Sequence, residues 1–168
     1  ENRDEGPDAV LEAMRETTQQ MVDIFGDRWY GELQCNNIPE QHELNQYVIK
    51  MHKEFGIPLI STADSHYPSP DAWKDRELYT RLGWLGKGGL PDYMESELPA
   101  GVQEIGYEIY PKNGDQMWES YKKYSAALNQ SYDDELVYDS LVRTHHIAHE
   151  LIEDFEPDVS VKLPSFVV

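Results

Sequence analysis

The chain of 168 residues has the length of a single domain and is strongly acidic. Asp and Glu number 32 against 14 Lys and Arg, which gives a formal net charge of −18 at pH 7. A protein that binds duplex DNA unaided needs a basic surface to neutralise phosphates, so the composition argues against independent DNA binding. It leaves open a role as one part of a larger DNA enzyme.

The composition also points to a protein without a membrane span. Apolar residues make up 39% of the chain, yet no run approaches the roughly 18–20 apolar residues that a transmembrane helix needs. The N-terminal residues show no signal-peptide pattern. The single cysteine, Cys35, rules out an internal disulfide and is typical of a reducing compartment. We therefore expect a cytoplasmic protein with no membrane partner.

The first part of the chain predicts alternating helices and strands. Residues 7–25 and 39–55 have helical spacing of apolar residues, and each stretch starts at a proline and stops at a glycine. Residues 28–34 and 57–62 are short and strand-like. Strand, helix, strand predicts a βαβ crossover and therefore an α/β fold, in which ligands bind beyond the carboxyl ends of the strands. The apolar stripe expected on the second helix comprises Leu44, Val48, Met51 and Phe55.

The second part of the chain predicts three more helices. Ser69-Pro70-Asp71 begins a helix that runs to about Leu82. A Gly/Pro-rich loop is expected over 83–103, and a short strand over 107–110. Asn113 is expected to cap a helix reaching residue 128, and a last helix covers about 133–154. The side chains expected to face inward from the last helix are Val137, Leu141, Ala148 and Leu151.

Asp64-Ser65-His66 is the sharpest candidate site in the sequence. Residues i and i+2 at the end of a strand point to the same side, so the carboxylate and the imidazole can converge on one ion. Both groups are ligands of Zn, Mn and Fe in the divalent state. The alternative is a surface aspartate next to a turn histidine. Two ligands do not complete a metal site, so others would have to come from elsewhere.

Other polar residues admit a functional and a structural interpretation. His145 and His149 lie one helical turn apart and could share a metal ion, although a polar helix face is the simpler interpretation. Glu32 could face the same strand end as Asp64 or be paired structurally. Cys35 is expected to be a small buried side chain rather than a nucleophile. His146 lies between His145 and His149 in the same motif, and His42 and His52 are expected at the surface. The glycine-rich 86–89 lacks the spacing of a phosphate loop, and the acidic 133–135 is expected to be a solvated helix N-terminus.

Two stretches of the chain resemble the closing part of a PHP domain (polymerase and histidinol phosphatase). They are FGDRWYGELQ at 25–34 and FGIPLISTADSHYPSPDAWKDRELY at 55–79. The resemblance is greatest to the PHP domain of the C-family replicative polymerases, the DNA polymerase III alpha subunits. Further on, 107–121 and 163–166 resemble segments that leave the barrel toward the polymerase palm. The individual features that match are Glu32-Leu33-Gln34, Asn45, the strand at 57–62, Asp64, His66, Tyr67 and Asp71.

The resemblance implies a partial PHP-type (βα) barrel over 1–106 and a helical exit segment with a linker toward the palm over 107–168. It also implies that Asp64 and His66 are the last two ligands of a cluster of Zn, Mn or Fe ions in a phosphoesterase or proofreading-type site. The family's His-x-His does not occur in the chain. The remaining ligands, and the palm with its Mg²⁺, are therefore expected in other segments.

We accordingly expect a segment of a DNA-directed DNA polymerase, a nucleotidyltransferase, from a bacterium or phage. Alone it should be inactive, and it would meet DNA only within the complete polymerase. It could be a fragment, one half of a split gene or a processed piece. An incomplete barrel would leave a strand edge unpaired at 28–34 or 57–62, so we expect the rest of the polymerase to supply the missing strands. The alternatives are a stand-alone PHP phosphoesterase and a non-catalytic binding module.

Overall fold

The computed structural model describes residues 6–86, 88 and 108–160, in which helices pack against a small parallel sheet. The regular elements are α1 (Pro7–Phe25), β1 (Gly31–Gln34), α2 (Pro39–Phe55), β2 (Leu59–Thr62), α3 (Trp73–Leu85), α4 (Gly114–Ala127) and α5 (Asp134–His146). Short 3₁₀ turns at Gly26–Arg28 and Pro70–Ala72 precede β1 and α3, and a π-helical turn at Ile147–Leu151 follows α5.

The sheet confirms the predicted βαβ unit and a mixed α/β fold. Strands β1 and β2 are parallel, with Gly31 opposite Leu59 and Gln34 opposite Thr62. Strand β1 is shorter than the predicted 28–34 because the chain first closes a 3₁₀ turn, in which Trp29 N donates to Gly26 O at 3.3 Å. Among the described residues the sheet has two strands. The full barrel therefore stays a prediction.

The two faces of the sheet differ in polarity. On one face, Leu33 and Leu59 pack with Ile49 of α2 in the buried core. Gly31 lies on the same face, where a Cβ atom would come within 2.8 Å of side-chain atoms of both Leu59 and Val48. Only a residue without a side chain allows the strand to sit this close to its neighbours. The opposite face carries Glu32, Gln34 and Thr62.

The buried face of α2 is rotated from the predicted one. Leu44, expected inside, is 43% exposed, whereas His42, expected at the surface, is fully buried. The physical reason is that the first half of α2 covers polar backbone at the end of β1, and a hydrogen-bonding side chain is needed there. Asn45 and Ile49 are buried on the same face as His42, whereas Met51, which was expected to be buried and is, lies on the opposite side of the helix, within the predicted stripe.

Helix α5 packs along the edge of β2 that faces away from β1. Val137 is buried, as predicted, and the hydroxyl oxygens of Ser140 and Ser61 are 2.6 Å apart. Arg143 Nε donates to Leu59 O at 3.0 Å, so a side chain occupies a backbone acceptor on the free edge of β2. Helix α4 is capped by Asn113, as predicted, and the side chain of Gln116 completes a capping box that was not predicted.

Three predictions for the second part of the chain need correction. Helix α3 continues to Leu85, so the predicted loop at 83–103 starts in a helix; most of it lies outside the described residues. The described part of the predicted strand at 107–110 is not a strand, although Ile109 O accepts a single hydrogen bond from His66 N. The last helix ends at His146, and Ala148 and Leu151 are exposed rather than inward, because this end runs past β2. The division at 106/107 stays a prediction.

Within the described part of the chain, no helix is both long and apolar enough to cross a membrane.

Candidate functional site

Asp64 and His66 converge just beyond the carboxyl end of β2. Asp64 Oδ1 lies 3.3 Å from His66 Nε2, and the two side chains are 46% and 49% exposed. Asp64 has a φ of 47°, in the left-handed region that non-glycine residues seldom adopt. This turn of the backbone follows directly on the strand. The two side chains therefore meet as the i, i+2 spacing predicted.

The segment that carries His66 is fixed to the residues before α4. His66 N donates to Ile109 O at 2.8 Å, and Ile109 N donates to the hydroxyl of Tyr67 at 3.2 Å. Burial raises the pKa of Tyr67, which keeps this hydroxyl neutral. The ring of Tyr67 also packs against Tyr110, with centroids 6.0 Å apart. These contacts give the imidazole a rigid backbone on an otherwise open surface.

The spacing and chemistry of the pair fit two positions on one metal ion. A His nitrogen and an Asp oxygen bound to a tetrahedral zinc ion at about 2.0–2.2 Å lie about 3.4 Å apart, close to the observed separation. Both donor types also suit Mn and Fe. Among the described residues, however, no group of three or more His, Cys, Asp or Glu side chains is arranged to hold an ion. Among the described residues the pair therefore offers two groups of suitable chemistry and not a complete ligand set.

Glu32 is paired structurally on the polar face of the sheet. Its Oε1 accepts hydrogen bonds from Thr62 Oγ1 at 2.5 Å and from Gln34 Nε2 at 3.3 Å. The carboxylate thus joins β1 to β2 across the sheet. Of the two interpretations open from the sequence, the structure supports the structural one.

Cys35 has the surroundings of an unreactive thiol. Burial raises the pKa of Cys35 to about 12, although the nearby charge of Lys112 acts in the opposite direction. Because the thiolate is the nucleophilic form, the side chain has little reactivity at neutral pH. This agrees with the expectation that Cys35 is not a nucleophile, although the residue is partly rather than fully buried.

His42 belongs to a buried polar network that sequence reasoning missed. Its Nε2 lies 2.8 Å from Asn36 O, and its Nδ1 lies 2.5 Å from the hydroxyl of Tyr132. The same hydroxyl accepts from Asn45 Nδ2 at 3.2 Å. The available signal was the spacing of His42, Asn45 and Ile49, which places all three on one helical face. His52, also expected at the surface, is partly buried, and its Nδ1 lies 2.7 Å from Ile57 O.

A groove runs along the outer edge of β1. It has a volume of about 790 Å³ and lies between α1, β1 and α2. Its floor includes Gly31 and Glu32, and its walls carry apolar side chains such as Met14 and Leu44 together with Trp29. Arg15 ties the two helices that flank it, through Nε and Nη2 donated to Glu54 at 2.7 and 2.8 Å. The groove is thus bounded by a strand edge and by two helices held at a fixed separation.

The chain is similar in sequence to part of a group of bacterial proteins. No family model matches it. Eight curated relatives match, each named DNA polymerase III subunit alpha. The protein from Aquifex aeolicus (strain VF5) is 45% identical over 67 residues, which are 40% of this chain and 6% of the relative. The chain matches a segment of DNA polymerase III alpha subunits.

Further relatives extend the match along the chain. The alpha subunit of Campylobacter jejuni is 25% identical over 122 residues, which are 73% of this chain and 10% of the relative. That of Deinococcus radiodurans is 30% identical over 95 residues, 56% of this chain and 6% of the relative. The chain thus spans a tenth or less of the length of these alpha subunits.

Proposed function

We propose that the chain is the C-terminal part of a PHP domain in a cytoplasmic DNA polymerase III alpha subunit, followed by helices that lead toward the palm. The observation that carries the proposal is the Asp64–His66 pair. It lies at the carboxyl end of a parallel strand, where α/β folds bind their ligands. The similarity to alpha subunits supports this interpretation.

In this function Asp64 and His66 would hold one ion of a divalent Zn, Mn or Fe cluster. Such an ion, when bound, polarises a phosphoryl oxygen and lowers the pKa of a bound water. The chain's own contribution is to present the carboxylate and imidazole 3.3 Å apart on a backbone fixed through Ile109. His66 can offer Nε2 as a ligand only when its ring proton is on Nδ1. We assign no residue as general base.

The remaining ligands would come from the rest of the polymerase. The groove along β1 offers a surface to which that part of the polymerase can bind. A parallel pair of short strands with one polar open face is seldom stable without further strands. The edge of β2 is occupied at Leu59 by Arg143, whereas the edge of β1 opens into the groove. We therefore propose that an additional strand of the polymerase pairs with β1. Helices α4 and α5 would tie the barrel to the palm.

The test is made in the complete alpha subunit, by changing Asp64 and His66 together to alanine. The expected result is loss of bound transition metal and of metal-dependent exonuclease activity, with primer extension by the palm retained. His146→Ala changes an exposed histidine outside the pair and serves as the matched control. Unchanged metal content and nuclease activity in the double variant would refute the metal role. A fall in thermal stability alone would favour a non-catalytic module.

A second measurement tests the place of the chain in the polymerase. The protein is captured from its native source through an antibody to this segment, and the recovered polypeptides are identified by mass spectrometry. We expect one long chain, or tightly bound chains, that contains the segment, a His-x-His motif and a polymerase palm. Recovery of the 168-residue chain alone would instead favour a free-standing protein.

A further inference from the structure

The end of α5 carries a histidine pair that the proposed function does not use. His145 lies in the last turn of the helix, and His149 lies in the π-helical turn that follows it. In that turn Ile152 N donates to Ile147 O at 3.1 Å, an i to i+5 hydrogen bond. Turns of this kind within helices are often found at functional sites.

The two imidazoles lie against each other on the protein surface. Their ring centroids are 4.2 Å apart with an angle of 42° between the planes, and both residues are exposed. Residues i and i+4 of a regular helix diverge by about 40° around the axis, at 3.6 residues per turn. The wider π turn reduces that divergence and brings the rings together. Within the described part of the chain, neither ring forms a hydrogen bond that would occupy its nitrogens.

The pair is separate from Asp64 and His66. Along α5, Ser140 contacts Ser61 and Arg143 contacts Leu59, so the helix runs back toward the start of β2. Its C-terminal end therefore lies beyond the amino end of that strand. Asp64 follows the opposite, carboxyl end.

The chemistry of the surroundings favours a cation at this place. Neutral imidazoles at positions i and i+4 of a helix bind transition metals through their ring nitrogens, as in zinc-binding helices. Nitrogen ligands select Zn, Ni, Cu or Co over Mg or Ca. Arg143, two residues before His145, has its guanidinium turned toward the backbone of β2. The chain beyond the pair is acidic and raises the local concentration of cations through Glu150, Glu153, Asp154, Glu156 and Asp158.

We propose that His145 and His149 together bind one divalent transition-metal ion, which clamps the π turn at the end of α5. The site is bidentate in the described structure, since no third His, Cys, Asp or Glu of the described residues joins a metal-binding group. Water completes the coordination. Binding fixes the direction in which the chain leaves α5 toward residue 160, so occupancy orders the exit from this helix.

The experiment titrates the full chain with Ni²⁺ by isothermal calorimetry, in a background where Asp64 and His66 are alanine so that the other pair does not contribute. We expect one equivalent to bind. The H149A variant should weaken binding at least about tenfold, the loss seen even when an outer partner of a metal ligand is removed. His146→Ala, one residue from His145 and equally exposed, is the matched control and should bind as the parent does.

Hydrogen exchange supplies an independent readout that does not depend on the variants. Adding Ni²⁺ should slow exchange of the backbone amides of residues 149–152, while amides of α1 exchange as before. The proposal is overturned if H149A binds Ni²⁺ as tightly as the parent, if H146A weakens binding as much as H149A, or if the amides of the π turn gain no protection. Far-UV circular dichroism of each variant verifies that the helices are intact.

Discussion

The partners of the buried His42 ring fit one tautomer of the neutral imidazole. Asn36 O can only accept a hydrogen bond, so Nε2 carries the ring proton and donates to it at 2.8 Å. Nδ1 then accepts from the hydroxyl of Tyr132, which in turn accepts from Asn45 Nδ2. The chain of donors and acceptors leaves the imidazole fully satisfied. A side chain that fills the same space without nitrogens would leave buried partners unpaired.

Replacing His42 by phenylalanine is therefore expected to lower the free energy of unfolding by about 2–4 kcal/mol, since two buried hydrogen bonds are lost. The measurement is the urea dependence of unfolding, followed by circular dichroism. His146→Phe, at an exposed position, should change stability by less than about 0.5 kcal/mol. Equal effects of the two substitutions would show that the network contributes little.

Among the secondary-structure elements, β1 has a free edge whose last backbone groups are hydrogen-bonded to a side chain. Gly31 N donates to Pro58 O at 2.8 Å, so by alternation the backbone groups of Glu32 and Gln34 face away from β2. At Gln34 those groups are taken by Asn45, whose amide accepts from Gln34 N at 3.3 Å and donates to Gln34 O at 2.7 Å. The backbone at Glu32 instead faces the groove. An added strand can thus pair at Glu32 but is blocked at Gln34.

Asn45→Asp tests this arrangement with little change in shape. The carboxylate cannot donate to Gln34 O or to Tyr132, and a buried charge is unfavourable, so we expect a loss of about 2–4 kcal/mol in the free energy of unfolding. Exchange of the Gln34 amide with solvent should also become faster. Gln20→Glu is the control, since it makes the same amide-to-acid change on the exposed face of α1. An unaltered exchange rate at Gln34 would argue that Asn45 does not cap the strand.

The bounds of the helices could be predicted from the sequence better than the side of each helix that is buried. The bounds of α1 and α2 were predicted correctly, because proline and glycine mark both ends of each helix through local backbone preferences. The buried side of α2 was predicted only in part: Met51 is buried and Val48 packs against the core, but apolar spacing could not show that the helix also covers polar backbone. His42 is inside for the sake of Asn36 O and Tyr132, and Tyr132 is 90 residues away in the chain.

The candidate site was likewise predictable only in part. The convergence of Asp64 with His66 was expected from alternation along a strand, but it comes about through the left-handed turn at Asp64 beyond the end of β2. The anchoring of His66 by Ile109 depends on a contact between distant segments, which no local pattern encodes. The end of α5 was also unpredictable, since helical spacing continues beyond His146 while the strand beneath it stops.

For the molecule as a whole, folding raises the pKa of several side chains above the values of the free groups. Burial raises the pKa of Cys35, Tyr124 and Tyr132 to about 12 each, from ordinary values of 9.0 for the thiol and 10.0 for the two phenols. Burial and a hydrogen bond to Asp134 raise the pKa of Tyr121 as well. All four groups are neutral when protonated, so folding favours the form with the proton bound.

The stability of the chain should consequently decrease in alkali. The contribution of each raised group is complete below its unfolded pKa and is lost as the pH rises toward the folded value, so the loss falls between about pH 9 and pH 12. Urea unfolding at several pH values measures it. Cys35→Ala removes one of these groups and should flatten the first part of the decline. A stability curve that stays level from pH 9 to pH 12 would contradict the raised pKa values.

The close contact at Gly31 makes this position suited to a temperature-sensitive mutation. A methyl group there would lie 2.8 Å from Leu59 Cδ2 and from Val48 Cγ1, and the stiff side chain of Val48 has little freedom to retreat. Gly31→Ala would push strand and helix apart at a cost of about 1–3 kcal/mol. A cost of that size is tolerable in the cold and decisive near the melting temperature. A cell carrying this allele should grow at low temperature and arrest when warmed, which would report genetically whether its survival depends on this fold.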